Sequence, residues 1–205
     1  MYVKILKNAY NFNIFVASIK IMDLIWLYKR LKLILVNPSM AWQKLKDDSI
    51  DTSKAFKNYI LPLILLIIIS NFLSAYLFDL SFIYAVISTI IFLIALFLSI
   101  RVSIILLTRM IKNLNITITQ SEVSKIIFFS LTPFLLALIF VVFNPSLSFI
   151  LIFGLYSIYI FYIGVPVIID NSEDNRITFT IAATVIFIVV FFSTKWILFK
   201  IYANF

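Results

Sequence analysis

The chain has 205 residues, of which 63% are hydrophobic and 13% are charged, and its net charge is +8. An average soluble domain is about 45–50% apolar and about 25% charged, so a soluble fold of this size could not bury so much apolar surface. The absence of Cys and His excludes disulfides, thiolate metal sites and imidazole catalysis, and two glycines are too few for the usual phosphate-binding loops. We therefore expect a membrane protein with no catalytic residue, no cofactor and no metal site.

Residues 1–22 form a poorly defined N-terminal extension. Their longest apolar stretch, Ile14–Ile19, is too short to cross a bilayer, and its flanks do not fit a signal peptide. Met22 is followed directly by the polar Asp23 and by the first amphipathic segment. We expect translation to begin at Met22.

Residues 23–58 form a predicted cytoplasmic amphipathic region. A basic helix is predicted over Leu24–Leu35, with Lys29, Arg30 and Lys32 opposite its apolar side. The residues assigned to that apolar side are Leu24, Leu27, Tyr28, Leu31, Ile34 and Leu35. Such a helix is suited to the headgroup layer, where it either binds a protein partner or senses lipid, or simply rests on the bilayer.

A second helix is predicted to follow directly, because Asn37-Pro38 supplies an N-cap and a first-turn proline. Trp42 and Leu45, three residues apart, should share its apolar side. We predict that Trp42 contacts the membrane surface together with Lys29, Arg30 and Lys32, and that anionic lipid headgroups bind there.

Residues 59–205 form a predicted bundle of about five transmembrane helices, which makes the fold class all-α. A transmembrane helix needs roughly 20 mainly apolar residues, and five segments meet or approach that length. The predicted spans are Tyr59–Phe78, Ser81–Leu107, Ile126–Phe143, Leu147–Ile169 and Ile177–Leu198. The connections around Asp79 and Asn144-Pro145-Ser146 are so short that the spans they join must be antiparallel.

The positions of the cations predict the orientation. Lys and Arg are concentrated before the first span and in the second loop, whereas the first and third loops have none. Because positive charge is retained on the cytoplasmic side, the N-terminus should be cytoplasmic and the C-terminus outside. Since these cations flank spans, they predict contact with lipid rather than with nucleic acid.

Two features inside the spans are candidate polar positions. Arg101 is the only charge well inside a predicted span, and it either reaches the interface, pairs with Glu122 or Asp170, or contacts a transported ion or substrate. Tyr156, Tyr159 and Tyr162 recur at three-residue spacing along one helix face. The tyrosines either bond to neighbouring helices or line a polar pathway.

Four stretches together resemble the Yip family, the Ypt/Rab-interacting multispanning proteins, and in particular its bacterial branch. They are Asn37-Pro38 with Trp42, Tyr59-Ile-Leu-Pro62, Ser130-Leu-Thr-Pro133, and Tyr156 to Gly164-Val-Pro166. The resemblance implies a five-span bundle with a cytoplasmic N-terminus. The family's Asp-Leu-Tyr-Gly-Pro segment and Gly-rich second span are absent here, so GTPase binding is not carried over.

The sequence thus favours a non-enzymatic membrane protein that organises lipid or partner proteins through its cytoplasmic N-terminal region. The alternative is a small transporter or channel component, with Arg101 and the face of Tyr156, Tyr159 and Tyr162 as its polar lining. A hydrated cavity that reaches Arg101 and Tyr159 would favour transport, whereas a tightly packed bundle would favour the organising role.

Overall fold

The computed structural model describes residues 24–48, 51–78, 81–113, 116, 118–169 and 173–203. Within these ranges the chain is helical, with no strand, and the all-α prediction is confirmed. The helices are α1 (Leu24–Val36), α2 (Pro38–Asp47), α3 (Thr52–Leu77), α4 (Phe82–Asn113), α5 (Gln120–Ser130), α6 (Thr132–Phe143), α7 (Pro145–Ile168) and α8 (Arg176–Ala203). The extension of residues 1–22, with the proposed start at Met22, lies outside the described ranges.

Four of these helices, α3, α4, α7 and α8, are each long and apolar enough to cross a membrane. The pair α5 and α6 is a fifth candidate, but it is bent by 45° at its break. The chain is therefore an all-α membrane bundle with four spans, or five if the bent pair is one span. The helix of the second predicted span continues past Leu107 to Asn113, and α5 begins at Gln120, ahead of the predicted Ile126.

The break between α5 and α6 has a cause in the sequence. Pro133 has no backbone N–H, so it cannot donate to the carbonyl four residues earlier, that of Phe129. The hydroxyl of Thr132 donates to that carbonyl instead, at 2.7 Å. Tyr59 completes the arrangement, because its hydroxyl lies 2.6 Å from the Thr132 hydroxyl. A buried hydrogen-bonded chain therefore joins α3 to the bend.

Two spans depart from regular α-helix. The segment Phe56–Ile60 of α3 is π-helical, and the first half of α7, Pro145–Leu155, is a 3₁₀-helix. Asn144 caps the 3₁₀ segment, since its side chain accepts a hydrogen bond from the backbone N–H of Ser146 at 3.0 Å. The backbone angles of Leu147 are not helical (φ −86°, ψ 15°), so this stretch consists of two short 3₁₀ segments with a kink between them.

The 3₁₀ half of α7 packs against α6, but the large fully buried side chains lie mainly toward the other end of the bundle. There α2 and α5 both lie against the α-helical half of α7, Tyr156–Ile168, while α4 packs along α8 and α6 along α3. The largest fully buried side chains include Trp42, Tyr59, Phe129, Phe179, Ile60, Leu96 and Leu107. In contrast, the 3₁₀ half of α7 has no buried residue. The opposite end therefore presents apolar side chains outward, as lipid-facing helices do.

Asn71 joins α3 to α4 by hydrogen bonds at the end of the bundle opposite the hairpin. Its side-chain nitrogen lies within 3.0 Å of the Ala85 carbonyl and within 2.9 and 2.7 Å of the hydroxyls of Ser88 and Thr89. Asn71 of α3 therefore makes hydrogen bonds to α4. Because α3 and α4 follow each other directly in the chain, this contact fixes the first hairpin of the bundle.

Replacing Tyr59 with Phe should destabilise the bundle, because the variant keeps the buried ring but removes the hydrogen bond to Thr132. We expect the free energy of unfolding in detergent to fall by about 0.5–1.5 kcal/mol. Tyr76→Phe is the matched control, since Tyr76 is 80% exposed. Equal unfolding curves for the two variants would contradict a stabilising role for the bond.

Candidate functional site

Helices α1 and α2 form a closed antiparallel hairpin. At the turn, the Asn37 side chain accepts a hydrogen bond from the backbone N–H of Met40 at 3.1 Å, and Pro38 occupies the first turn of α2. At the open end, the Arg30 guanidinium forms an ion pair with Asp48. The same guanidinium lies 5.4 Å from the centre of the Trp26 ring. The two helices are therefore fixed to each other at both ends.

Trp42 fixes the hairpin to the bundle. Its side chain is 0% exposed, and its indole N–H donates to the backbone carbonyl of Ile160 in α7 at 3.0 Å. The ring occupies the space left by the missing side chain of Gly164, where a Cβ atom would lie 2.4 Å from Trp42 Cε2. The prediction that Trp42 contacts the membrane surface is wrong, because this geometry places it among protein atoms. Its predicted burial on one side of α2 with Leu45 is confirmed.

A chain of aromatic contacts extends this joint into the bundle. The Phe129 ring lies 6.3 Å from Trp42 and 4.4 Å from Tyr59. Trp26 of α1 lies 6.4 Å from Tyr59, in an edge-to-face arrangement. Such pairs add about 0.5–1.5 kcal/mol each beyond the burial of their area. The hairpin, the first span and the bent pair thus share one aromatic cluster: Trp26, Trp42, Tyr59 and Phe129.

The predicted tyrosine face divides into three environments. The Tyr156 hydroxyl donates to the carbonyl of Leu35 at 3.2 Å, which adds a second bond between the hairpin and α7. The Tyr159 ring stacks on Tyr156 at 5.4 Å and is 48% exposed. The ring of Tyr162 lies 4.5 Å from the guanidinium carbon of Arg176. Within the described ranges, Tyr156 is the one of the three whose hydroxyl bonds to a neighbouring helix, and the three side chains lie in different surroundings.

Arg101 lies on the outside of α4 and is exposed. The carboxylate of Glu122, one proposed partner, instead caps α5 by accepting from the backbone N–H and the hydroxyl of Thr119, both at 2.8 Å. The other proposed partner, Asp170, lies outside the described residues. A cavity of about 240 Å³ exists between α4, the bend, α7 and α8, but neither Arg101 nor the three tyrosines line it.

The outer face of α1 combines cations with apolar side chains. Its exposed residues are Leu24, Ile25, Tyr28, Lys29, Lys32 and Val36. At about 100° per residue they fall within about 140° of the helix circumference. The predicted faces are therefore only partly correct. The helix buries Leu27 and Ile34 but turns Leu24 and Tyr28 outward, while Arg30 turns in toward Asp48.

This outer face has the composition of an interfacial surface, not of a reaction centre. Among the described residues, no group of three or more Asp and Glu side chains is placed to hold a metal ion. Lys29 and Lys32 supply exposed positive charge beside an exposed aromatic ring, that of Tyr28, which is 63% exposed. Basic side chains next to apolar ones bind the headgroup layer of a membrane.

The fold and this surface define a multi-pass α-helical membrane protein with a docked N-terminal hairpin. The Yip1 domain model matches residues 32–194, which is most of the chain. The chain belongs to the Yip1 domain family, and the resemblance seen in its motifs is confirmed. No curated protein and no solved structure matches it. The matched region begins within α1 and includes Trp42, Gly164 and the bend.

Gly164→Ala should loosen the hairpin, because the added methyl group meets the Trp42 ring at a distance that atoms do not tolerate. We expect an overpacking cost of about 1–3 kcal/mol in unfolding free energy. The chain has no Cys, so a single Ala41→Cys, at a buried α2 position, reports the opening through its maleimide reaction rate.

The reaction should accelerate when Gly164→Ala is added to Ala41→Cys. Gly154→Ala is the matched control, since its Cβ would lie 3.3 Å from the nearest atom of Phe134 and calls for only a small adjustment. Equal maleimide rates in the presence of either alanine would contradict the joint between Trp42 and Gly164.

Proposed function

We propose that this protein is a non-enzymatic, membrane-organising protein whose α1–α2 hairpin is its contact element at the cytoplasmic face. The carrying observation is that Trp42 is fully buried against α7 while the outer face of α1 leaves Lys29, Lys32 and Tyr28 exposed. A hairpin that is held rigidly on its inner side can present its outer side to a membrane or partner in one fixed orientation.

Two contributions to the free energy of binding favour anionic headgroups at this outer face, one electrostatic and one apolar. Each Lys near an anionic membrane surface contributes about 1 kcal/mol, and this attraction falls off within a Debye length. Leu24 and Tyr28 add apolar area beside the lysines, which lets the face enter the boundary between headgroups and acyl chains. The predicted contact set therefore becomes Lys29 and Lys32, since Arg30 is engaged with Asp48 and Trp42 is buried.

The distribution of charge supports a cytoplasmic position for the hairpin. Exposed cations lie on α1, on α2 and at the carboxyl end of α4, including Lys29, Lys44 and Lys112. The short connections at the other end of the spans have no Lys or Arg. By the retention of positive charge, the hairpin end faces the cytoplasm and the C-terminus lies outside, most simply in a bacterial inner membrane. Residues 23–58 then form the contact region and residues 59–205 its membrane anchor.

The alternative of transport gains no support from the geometry. It requires Arg101 and the tyrosine face to meet in one polar pathway, yet Arg101 lies on the exposed side of α4 and Tyr156 bonds to Leu35. The lining of the cavity is almost wholly apolar. A pathway for ions needs polar groups along its whole length, because nothing else replaces the hydration that the ion loses.

Photo-crosslinking at Tyr28 tests the proposed contact. A photoreactive amino acid replaces Tyr28 in the full chain, native membranes are irradiated, and the adducts are identified by mass spectrometry. We expect adducts with anionic phospholipid. Replacing Lys29 and Lys32 together with Glu should lower their yield by about tenfold or more, because the attraction of each lysine, worth about 1 kcal/mol, becomes repulsion.

Lys112→Glu is the control, because it makes the same Lys-to-Glu replacement at one exposed residue at the end of α4. It should leave the yield at Tyr28 unchanged. A yield that is equal in K29E/K32E and in the parent would contradict the headgroup contact. A protein adduct in place of the lipid adduct would instead identify a protein partner at the same surface.

A further inference from the structure

The cavity beside the bend has an unusual combination of linings. Most of its wall is apolar and comes from residues such as Phe134, Leu155 and Phe192. Four hydroxyl-bearing side chains also border it, one on each of α4, α5, α7 and α8. They are Ser103, Ser130, Ser157 and Thr184. The volume, about 240 Å³, is somewhat below the roughly 300–1,000 Å³ of sites for drug-sized ligands.

Two of these four hydroxyls lack a hydrogen-bond partner in the described part of the chain. Ser103 and Ser130 are 1% and 3% exposed, and neither Oγ atom has a donor or acceptor within reach. The other two are satisfied: Thr184 donates to the carbonyl of Thr180, and Ser157 accepts from the backbone N–H of Phe134. A buried hydroxyl left unpaired costs about 1–3 kcal/mol, so such groups are rare without a role.

Helical hydroxyls elsewhere in the bundle bond back to the carbonyl four residues earlier, which is the usual solution for Ser and Thr inside a helix. Ser99, Thr108, Ser124 and Thr180 do so at 2.6–2.7 Å, and so does Thr184 beside the cavity, at 2.8 Å. Ser103 stands one turn after Ser99 on the same helix and does not. The helix itself therefore does not explain the unpaired hydroxyl of Ser103, which borders the cavity.

The cavity opens toward the outside of the bundle between α7 and α8. Leu155, Ile188 and Phe192 line it and are 60%, 45% and 56% exposed. Because these residues belong to membrane-spanning helices, the opening faces hydrocarbon. Along α8 the lining extends from Ala183 to Phe192, a rise of about 13.5 Å at about 1.5 Å per residue.

The position of Arg101 indicates how deep in the bilayer the end of the cavity with Ser103 and Ser130 lies. Arg101 is exposed, lies two residues before Ser103 on α4, and must carry its charge to the headgroup layer. The unpaired hydroxyls of Ser103 and Ser130 then lie just below the phosphates. At that depth a glycerolipid has its ester carbonyls, which accept hydrogen bonds but do not donate them.

We propose that this cavity binds one acyl chain of a membrane glycerolipid, with Ser103 and Ser130 donating hydrogen bonds to its ester carbonyl. The apolar wall disfavours a polar solute, and the volume is too small for a whole lipid but suits part of one chain that leaves through the opening to hydrocarbon. The two hydroxyl donors favour an acyl ester over a plain hydrocarbon. This site is separate from the α1–α2 surface and does not depend on its role.

A phospholipid with a diazirine in one acyl chain tests the site. The full chain is reconstituted in vesicles that contain this phospholipid, irradiated, and digested for peptide mapping. We expect adducts within residues 151–161 and 183–192. The double variant S103A/S130A should lower this labelling at least about threefold, because it removes both donors while keeping the shape.

Ser99→Ala is the matched control, since its hydroxyl bonds to Ala95 and does not border the cavity. It should leave labelling unchanged. Ala183→Leu, which fills part of the cavity and keeps both serines in the sequence, should lower labelling too. Labelling that persists in both S103A/S130A and Ala183→Leu would overturn the site. Labelling by a diazirine free fatty acid, but not by the phospholipid, would overturn the choice of a glycerolipid.

Discussion

The indole of Trp42, seated against the bare backbone of Gly164, is the contact on which the rest of this structure depends. It brings together residues 122 positions apart and leaves no room for any side chain at Gly164. Its N–H also donates to the backbone carbonyl of Ile160, so packing against Gly164 fixes the position of the ring and the hydrogen bond fixes its orientation. Since the aromatic cluster of Trp26, Tyr59 and Phe129 continues from it, the hairpin is part of the bundle core and not an appendage.

In this arrangement most of the large fully buried side chains lie at the hairpin end of the bundle, whereas the 3₁₀ half of α7 at the other end has no buried residue and faces lipid. At the bend between α5 and α6, Pro133 removes one helix hydrogen bond. The hydroxyl of Thr132 replaces it and also bonds to the hydroxyl of Tyr59. The same break places Ser130 at the end of a helix, beside the cavity. Pro133 thus affects both the hydrogen bond between Thr132 and Tyr59 and the cavity beside Ser130.

The sequence predicted much of the fold, because long apolar runs and short polar connections leave few alternatives in a bilayer. It also predicted the helix start at Asn37-Pro38. It could not predict the partner of Trp42: periodicity places a residue on a helix face but does not say whether that face meets lipid or protein. For the same reason Leu24 and Tyr28 were assigned to the same apolar side of α1 as the buried Leu27 and Ile34. No feature of the sequence indicated that the hydroxyls of Ser103 and Ser130 would be unpaired.

Hydrogen–deuterium exchange of the full chain in nanodiscs tests the central claim most directly, because it reports whether α2 is part of the core. If Trp42 fixes the hairpin to α7, the amides of residues 40–47 should be protected about as strongly as those of residues 160–168, and Trp42→Ala should speed exchange in α2 far more than in α4. Fast exchange of α2 in the unmodified chain, beside a protected α7, would contradict the account.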